Sequence, residues 1–336
     1  MNITERIEAL THFEYSEREA RFLCLAALHG GYFLRRQFAA FSGKSVGGSA
    51  AALIEKALNR GHVQATTYAA HQHIYHLCAR PFYAAIGQED NRNRRTRQPA
   101  TIQQKLMAFD YVLAHPEYDY LATEQEKLDY FTGVLQLDSA LLPTKRYCSR
   151  GKTTERYFVE KYPLFLMPPS QAAVPAAPCF GFVDDGLASI SAFATFLHQY
   201  APLWSHLREF QVTYIAARPS LFGAASDFFE RFTSRVLCAR TPRDEAVTAR
   251  LLAHFEARSL YESRQWAAFD RAKLIRLRDE RHEFSGEKYE TLYLHWKRGG
   301  TTAVRTFLTP AEGPAQPPVA MFQTCHLDQN YDLFGR

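Results

Sequence analysis

The sequence predicts an α+β fold, and three stretches of it carry that expectation. Residues 16–60 repeat apolar side chains at helical spacing, and two short extended segments follow them. Residues 156–232 then alternate apolar runs with amphipathic stretches, the pattern of strands packed with helices. Residues 243–282 return to helical spacing. Hydrophobic residues make up 46% of the 336 and charged residues 22%, a composition that can build a core and is unlike a disordered chain. No uninterrupted apolar stretch reaches the roughly 18 residues that a membrane-spanning helix needs. The opening MNITERIEAL lacks a basic segment followed by an apolar core, so no secretory leader is expected.

The first helix starts at Ser16, where Ser16 and Glu19 form a capping box. Phe22, Leu23, Leu25, Ala26 and Leu28 make its apolar face, and Gly30-Gly31 stops it. A second helix is expected from Leu34 to Phe41. Gly43-Lys44-Ser45 then turns the chain, and a third helix runs from Gly47 to Arg60 with Ala50, Leu53, Ile54, Ala57 and Leu58 on one stripe. The period next changes to that of strands, at His62–Thr67 and His73–Leu77, joined through Tyr68–Gln72 as a hairpin. Pro81–Ile86 begins another helix. Residues 88–100, QEDNRNRRTRQPA, read as an exposed basic linker, and residues 101–147 as a helical connector.

Three helices followed by a two-stranded hairpin is the order of a winged helix-turn-helix. The wording "ALNRGHV" and then "IYHL" resembles the recognition helix, wing and closing strand of bacterial winged-helix proteins. Charge placement agrees with a polyanion partner there. Residues 1–98 hold 13 basic and 8 acidic side chains, whereas the remaining residues hold 27 of each. Such a domain places the start of its third helix in the DNA major groove. The candidate DNA contacts are therefore Ser45, Ser49, Lys56, Asn59 and Arg60 around that helix, Lys44 in the turn, and Arg35 and Arg36 on the second helix. His71 at the wing tip and the run Arg92, Arg94, Arg95 and Arg97 complete the set. Positions 46–54 contain no Arg, Asn or Gln, so bidentate base readout from the helix start is expected to be poor.

Other chemistries are weaker. Gly43-Lys44-Ser45 lacks the Gly that a phosphate-binding P-loop needs at position 38, which is Phe. His71, His73 and His76 lack a neighbouring Cys or carboxylate cluster, so no metal or cofactor is expected. The six cysteines are widely spaced, which fits reduced thiols in a cytoplasmic, nucleoid-associated protein. No GxSxG nucleophile elbow occurs.

The string FGFVDDGLASISAFATFLHQYAPLWSHLREFQVTYIAA resembles the replication-relaxation family, which joins a winged helix to a domain like the PD-(D/E)xK nucleases and occurs on plasmids and other mobile elements. The matching features are Asp184 or Asp185, Gly186, Tyr200 and the run Val212–Ile215. That nuclease core holds a divalent metal between an acid on one strand and an acid-x-Lys on the next. Here Phe182 stands where the second acid belongs and no Lys follows, so the resemblance implies a domain without catalysis. The expected organisation is a winged helix with basic linker (1–98), a helical connector (99–150), a nuclease-like α/β domain (151–240), and C-terminal helices with a late strand at Tyr289–Trp296 and a tail (241–336). The expected function is duplex-DNA binding in transcription, replication or transfer control, as a homodimer. A nuclease using Asp184 and Asp185, and a protein-interaction adaptor, remain the alternatives.

Overall fold

Short polar side chains open the first two helices. Asn2 caps α1 (Ile3–Thr11) and Ser16 caps α2 (Glu17–His29), each in a reciprocal box with the glutamate three residues on. The computed structural model describes residues 1–43, 48–68, 73–149, 152–158, 162–167, 176–187, 189–237, 245–308 and 318–331. After α2 come a two-residue strand β1 (Tyr32–Phe33), α3 (Arg35–Ser42), α4 (Gly48–Asn59), and a hairpin of β2 (Val63–Thr67) and β3 (His73–Leu77). β3 pairs antiparallel with both β2 and β1, giving the order β1-β3-β2. The core of this region is aromatic, with Phe22 in edge or tilted contact with Phe33, Phe38, Phe41 and Phe109.

Gly31 sets the entry to β1. Its φ is +80°, and a Cβ there would lie 2.6 Å from the Asn93 carbonyl oxygen. Gly31→Ala is therefore expected to lose roughly 1–3 kcal/mol from backbone strain, with the overlap adding to it. Thermal unfolding checks it, and an unchanged Tm would contradict the stated fit.

A short helix α5 (Arg80–Ala85) follows, then α6 (Pro99–Ala114). α6 is buried on two sides. Phe109 and Val112 join the aromatic core around α2, while Met107, Ala108 and Tyr111 join a second core on a larger sheet. This explains its nearly all-round apolar pattern. The expected all-helical connector is corrected beyond Ala114: the chain forms β4 (Asp119–Tyr120), α7 (Glu124–Leu128) continuing as a wider turn to Val134, and a hairpin of β5 (Thr144–Ser149) and β6 (Lys152–Tyr157).

The larger sheet adds β7 (Leu164–Leu166), β8 (Pro178–Asp184), β9 (Glu209–Ala216) and β10 (Val319–His326), in the order β10-β9-β8-β7-β4. β8, β9 and β10 run parallel, and β7 and β4 are antiparallel to their neighbours. All seven residues of β8 are buried, as befits a central parallel strand. The crossover from β8 to β9 is α8 (Ile190–Trp204), and α9 (Phe222–Phe232) follows β9. The segment expected only as a tail thus contains the parallel edge strand β10.

By contacts the chain divides into two compact units, Met1–Val236 with Pro318–Arg336, and Leu237–Pro317. The second is helical, with α10 (Glu245–Glu262), α11 (Arg271–Glu283) and α12 (Glu287–Leu308), which kinks at Gly300. The strand expected at Tyr289–Trp296 is part of α12. Leu292 and Tyr293 are buried with Phe255, and Trp296 packs one helical turn on. Among the described residues no helix is long and apolar enough to cross a membrane.

Candidate nucleic-acid interface

α4 turns Ala50, Leu53, Ile54 and Ala57 into the core, as its stripe predicts, but leaves Leu58 exposed. Its outer face carries Ser49, Ala51, Ala52, Glu55 and Asn59. On the hairpin, Gln64, Thr66 and Thr67 face outward, and the Thr67 hydroxyl lies 3.1 Å from His73 Nδ1. Lys44, Ser45 and His71 lie outside the described residues.

Three of the cations expected at phosphates are committed to carboxylates within the chain. Arg36 makes a bidentate pair with Asp110, both contacts 2.7 Å, and the Tyr331 hydroxyl donates to the same carboxylate at 2.6 Å. Lys56 donates to Glu19 at 2.7 Å and to the Glu14 carbonyl at 3.2 Å. Burial pushes the Glu19 carboxyl up, but the bonds from Lys56 and Ser16 outweigh it and hold the group below its ordinary range. Arg60 pairs with the Glu14 carboxylate. A phosphate contact from Arg36, Lys56 or Arg60 would therefore compete with Asp110, Glu19 or Glu14 for the same cation.

The segment expected as a free linker is also corrected. Asn93 is buried and donates to the carbonyls of Ala27 and Leu28 at 2.8 and 3.1 Å. Its own side-chain oxygen accepts from the buried Lys105 at 2.8 Å, and its backbone carbonyl bonds His76 at 2.8 Å. The arginines around it are consequently held in place. Arg92 lies 4.4 Å from the Tyr147 ring centroid, Arg94 donates to the carbonyls of Cys78 and Glu89, and Arg97 donates to that of Arg92. Carbonyl partners leave the positive charge unneutralised, and Arg95 is exposed beside them.

The sequence reading missed Arg18. It is exposed on α2 and lines, with Ser49, Ala52 and Phe41, a surface groove of about 730 Å³ beside the start of α4. The exposed set is thus Arg18, Arg35, Ser49, Asn59 and Arg95, with Arg60 exposed but paired to Glu14.

The two aspartates of the larger sheet are bound in a turn. Asp184 ends β8, is buried, and accepts from the Tyr214 hydroxyl at 2.8 Å and the Gly186 amide at 2.9 Å. Asp185 accepts from the Leu187 amide at 3.0 Å. Phe182, two residues earlier, packs against Tyr162, Phe193, Phe196 and Tyr214. Among the described residues no group of three or more His, Cys, Asp or Glu is placed to hold a metal ion. No family model, curated protein or solved structure matches this chain.

Proposed function

We propose that this chain binds duplex DNA through α4 and the β2–β3 hairpin, with a winged helix-turn-helix as the binding unit. The observation that carries this reading is the order α2-β1-α3-α4-β2-β3 with β1 closing onto β3. That arrangement leaves one face of a helix and one hairpin outward, the shape that fills a major groove and touches its rim. The basic excess of residues 1–98 supports it. The small outer residues of α4 favour backbone contact and shape over base readout, so the sequence preference is modest. The larger sheet is proposed as a non-catalytic scaffold, because Phe182 occupies core where a metal acid would stand. A role in regulation or replication control of a mobile element, and a homodimeric state, belong to the same proposal and rest on the family resemblance.

Two substitutions on one helix test the binding face. Ser49→Asp sets a negative charge against a phosphate and is expected to weaken duplex binding by about tenfold or more. Lys56→Met removes a charge already matched by Glu19 and is expected to leave the salt dependence unchanged. Fluorescence anisotropy with a labelled duplex reads both. Equal, small effects would overturn the assignment of α4.

A further inference from the structure

A cleft of about 430 Å³ lies beneath the segment Gly87–Arg92, between the end of α2 and α7. Lys127 lines it and is only 7% exposed. Among the described residues its ammonium group makes no hydrogen bond, and the Phe158 ring centroid lies 5.7 Å from Nζ. The charges of Glu126 and Glu124 favour the ammonium form, but the hydrogen bonds of both carboxylates go elsewhere. Glu126 accepts from Arg6 at 2.9 Å and from the Ala122 and Thr123 amides at 2.9 Å each. Glu124 accepts from the Tyr157 amide at 3.0 Å and pairs with Arg156 at 3.5 Å. Lysine is seldom buried without a partner, since three donors then forgo their hydrogen bonds.

Two further cations line the cleft, Arg92 and Arg156, and among the described residues the buried Arg156 Nε has no acceptor. The acids on the wall are Glu89, 3.7 Å from Arg80, the exposed Asp90, and Glu124, already paired with Arg156. Burial pushes Lys127 down to about 8 and His29, at the same wall, down to about 4. Near neutral pH the lysine is therefore charged and the histidine neutral. The volume exceeds that of a simple anion and falls within the roughly 300–1,000 Å³ of small-molecule sites. Leu28, Leu164 and Phe158 supply apolar wall beside the charge.

We propose that this cleft binds the oxyanion end, phosphate or carboxylate, of a small molecule, with Lys127 as its principal contact and Arg92 and Arg156 flanking it. The segment over the cleft runs directly into Asn93, which ties α2 to β3 through its carbonyl and amide bonds. An occupant therefore touches the chain that holds the hairpin in place.

Isothermal titration of the full-length chain tests this, with inorganic phosphate in one arm and acetate in the other. Saturable binding of at least one anion is expected near pH 7, and about tenfold or more weaker binding near pH 9.5, where Lys127 is neutral. The stronger arm identifies the class. Lys127→Met is expected to abolish binding and to raise Tm, because it removes a buried charge that makes no hydrogen bond among the described residues. Absence of saturable binding in both arms, or equal binding by Lys127→Met, would overturn the proposal. A lowered Tm for Lys127→Met would make the lysine a structural contact and overturn it equally.

Discussion

Phe182→Ala is expected to destabilise the larger sheet by roughly 3–5 kcal/mol, the cost of emptying a fully enclosed phenylalanine site. The side chain is 2% exposed and has four aromatic neighbours, so little can collapse into the space. Phe182→Asp should be worse, because it strands a carboxylate among the rings of Tyr162, Phe193, Phe196 and Tyr214. Denaturant unfolding with both variants checks the order. The comparison also bears on chemistry. If Phe182→Asp folded well and bound magnesium, the position would be a vacated metal site rather than core, and the non-catalytic reading of the sheet would fail.

Arg36→Ala is expected to cost roughly 3 kcal/mol, toward the lower end for breaking a buried ion pair, because Arg36 keeps 29% of its side chain exposed. The larger part of that cost is the Asp110 carboxylate, 11% exposed, left among the described residues with the Tyr331 hydroxyl alone. A second substitution, Asp110→Ala, should recover part of the loss, and a double-mutant cycle measures the coupling. The same variant separates two roles for Arg36. A phosphate contact would flatten the salt dependence of DNA binding by about one ion and leave stability alone. The triad with Asp110 and Tyr331 requires the opposite result.

The pair also shows where the sequence stopped being informative. Arg36 and Asp110 are 74 positions apart, and nothing local to either marks the other as its partner. The basic excess of the first 98 residues was legible as a number, but Lys56 and Arg60 meet Glu19 and Glu14 only once α4 lies against α2. Local chemistry was legible. Ser16 and Glu19 cap α2 as their spacing predicts, and the hairpin falls at the change of period after Gly61. The box of Asn2 and Glu5, which starts α1, was equally present in the sequence and went unread.

Tertiary pairing decides the remaining elements. The segment Tyr289–Trp296 has the aromatic and β-branched wording of a strand, yet burial of Leu292 and Tyr293 with Phe255 makes it helix. Conversely, Val319–His326 follows a proline-rich stretch and becomes a strand through its eight-residue register with β9. At the candidate interface, Ser49 and Asn59 stand exposed on α4 as their place off the apolar stripe predicts. Asn93 sits in a string of arginines whose composition reads as linker, and its burial depends on carbonyls at Ala27 and Leu28 far upstream.

The central claim is that the α4 and hairpin face binds duplex DNA without cutting it. Its most direct test is anisotropy of a labelled duplex across a salt series, with magnesium in one arm and the DNA then resolved on a gel. Binding that weakens steadily with salt and leaves the duplex intact is the result this account requires. Absence of binding at low salt would contradict it and leave an interaction adaptor, and magnesium-dependent cleavage lost in Asp184→Ala would contradict the non-catalytic sheet.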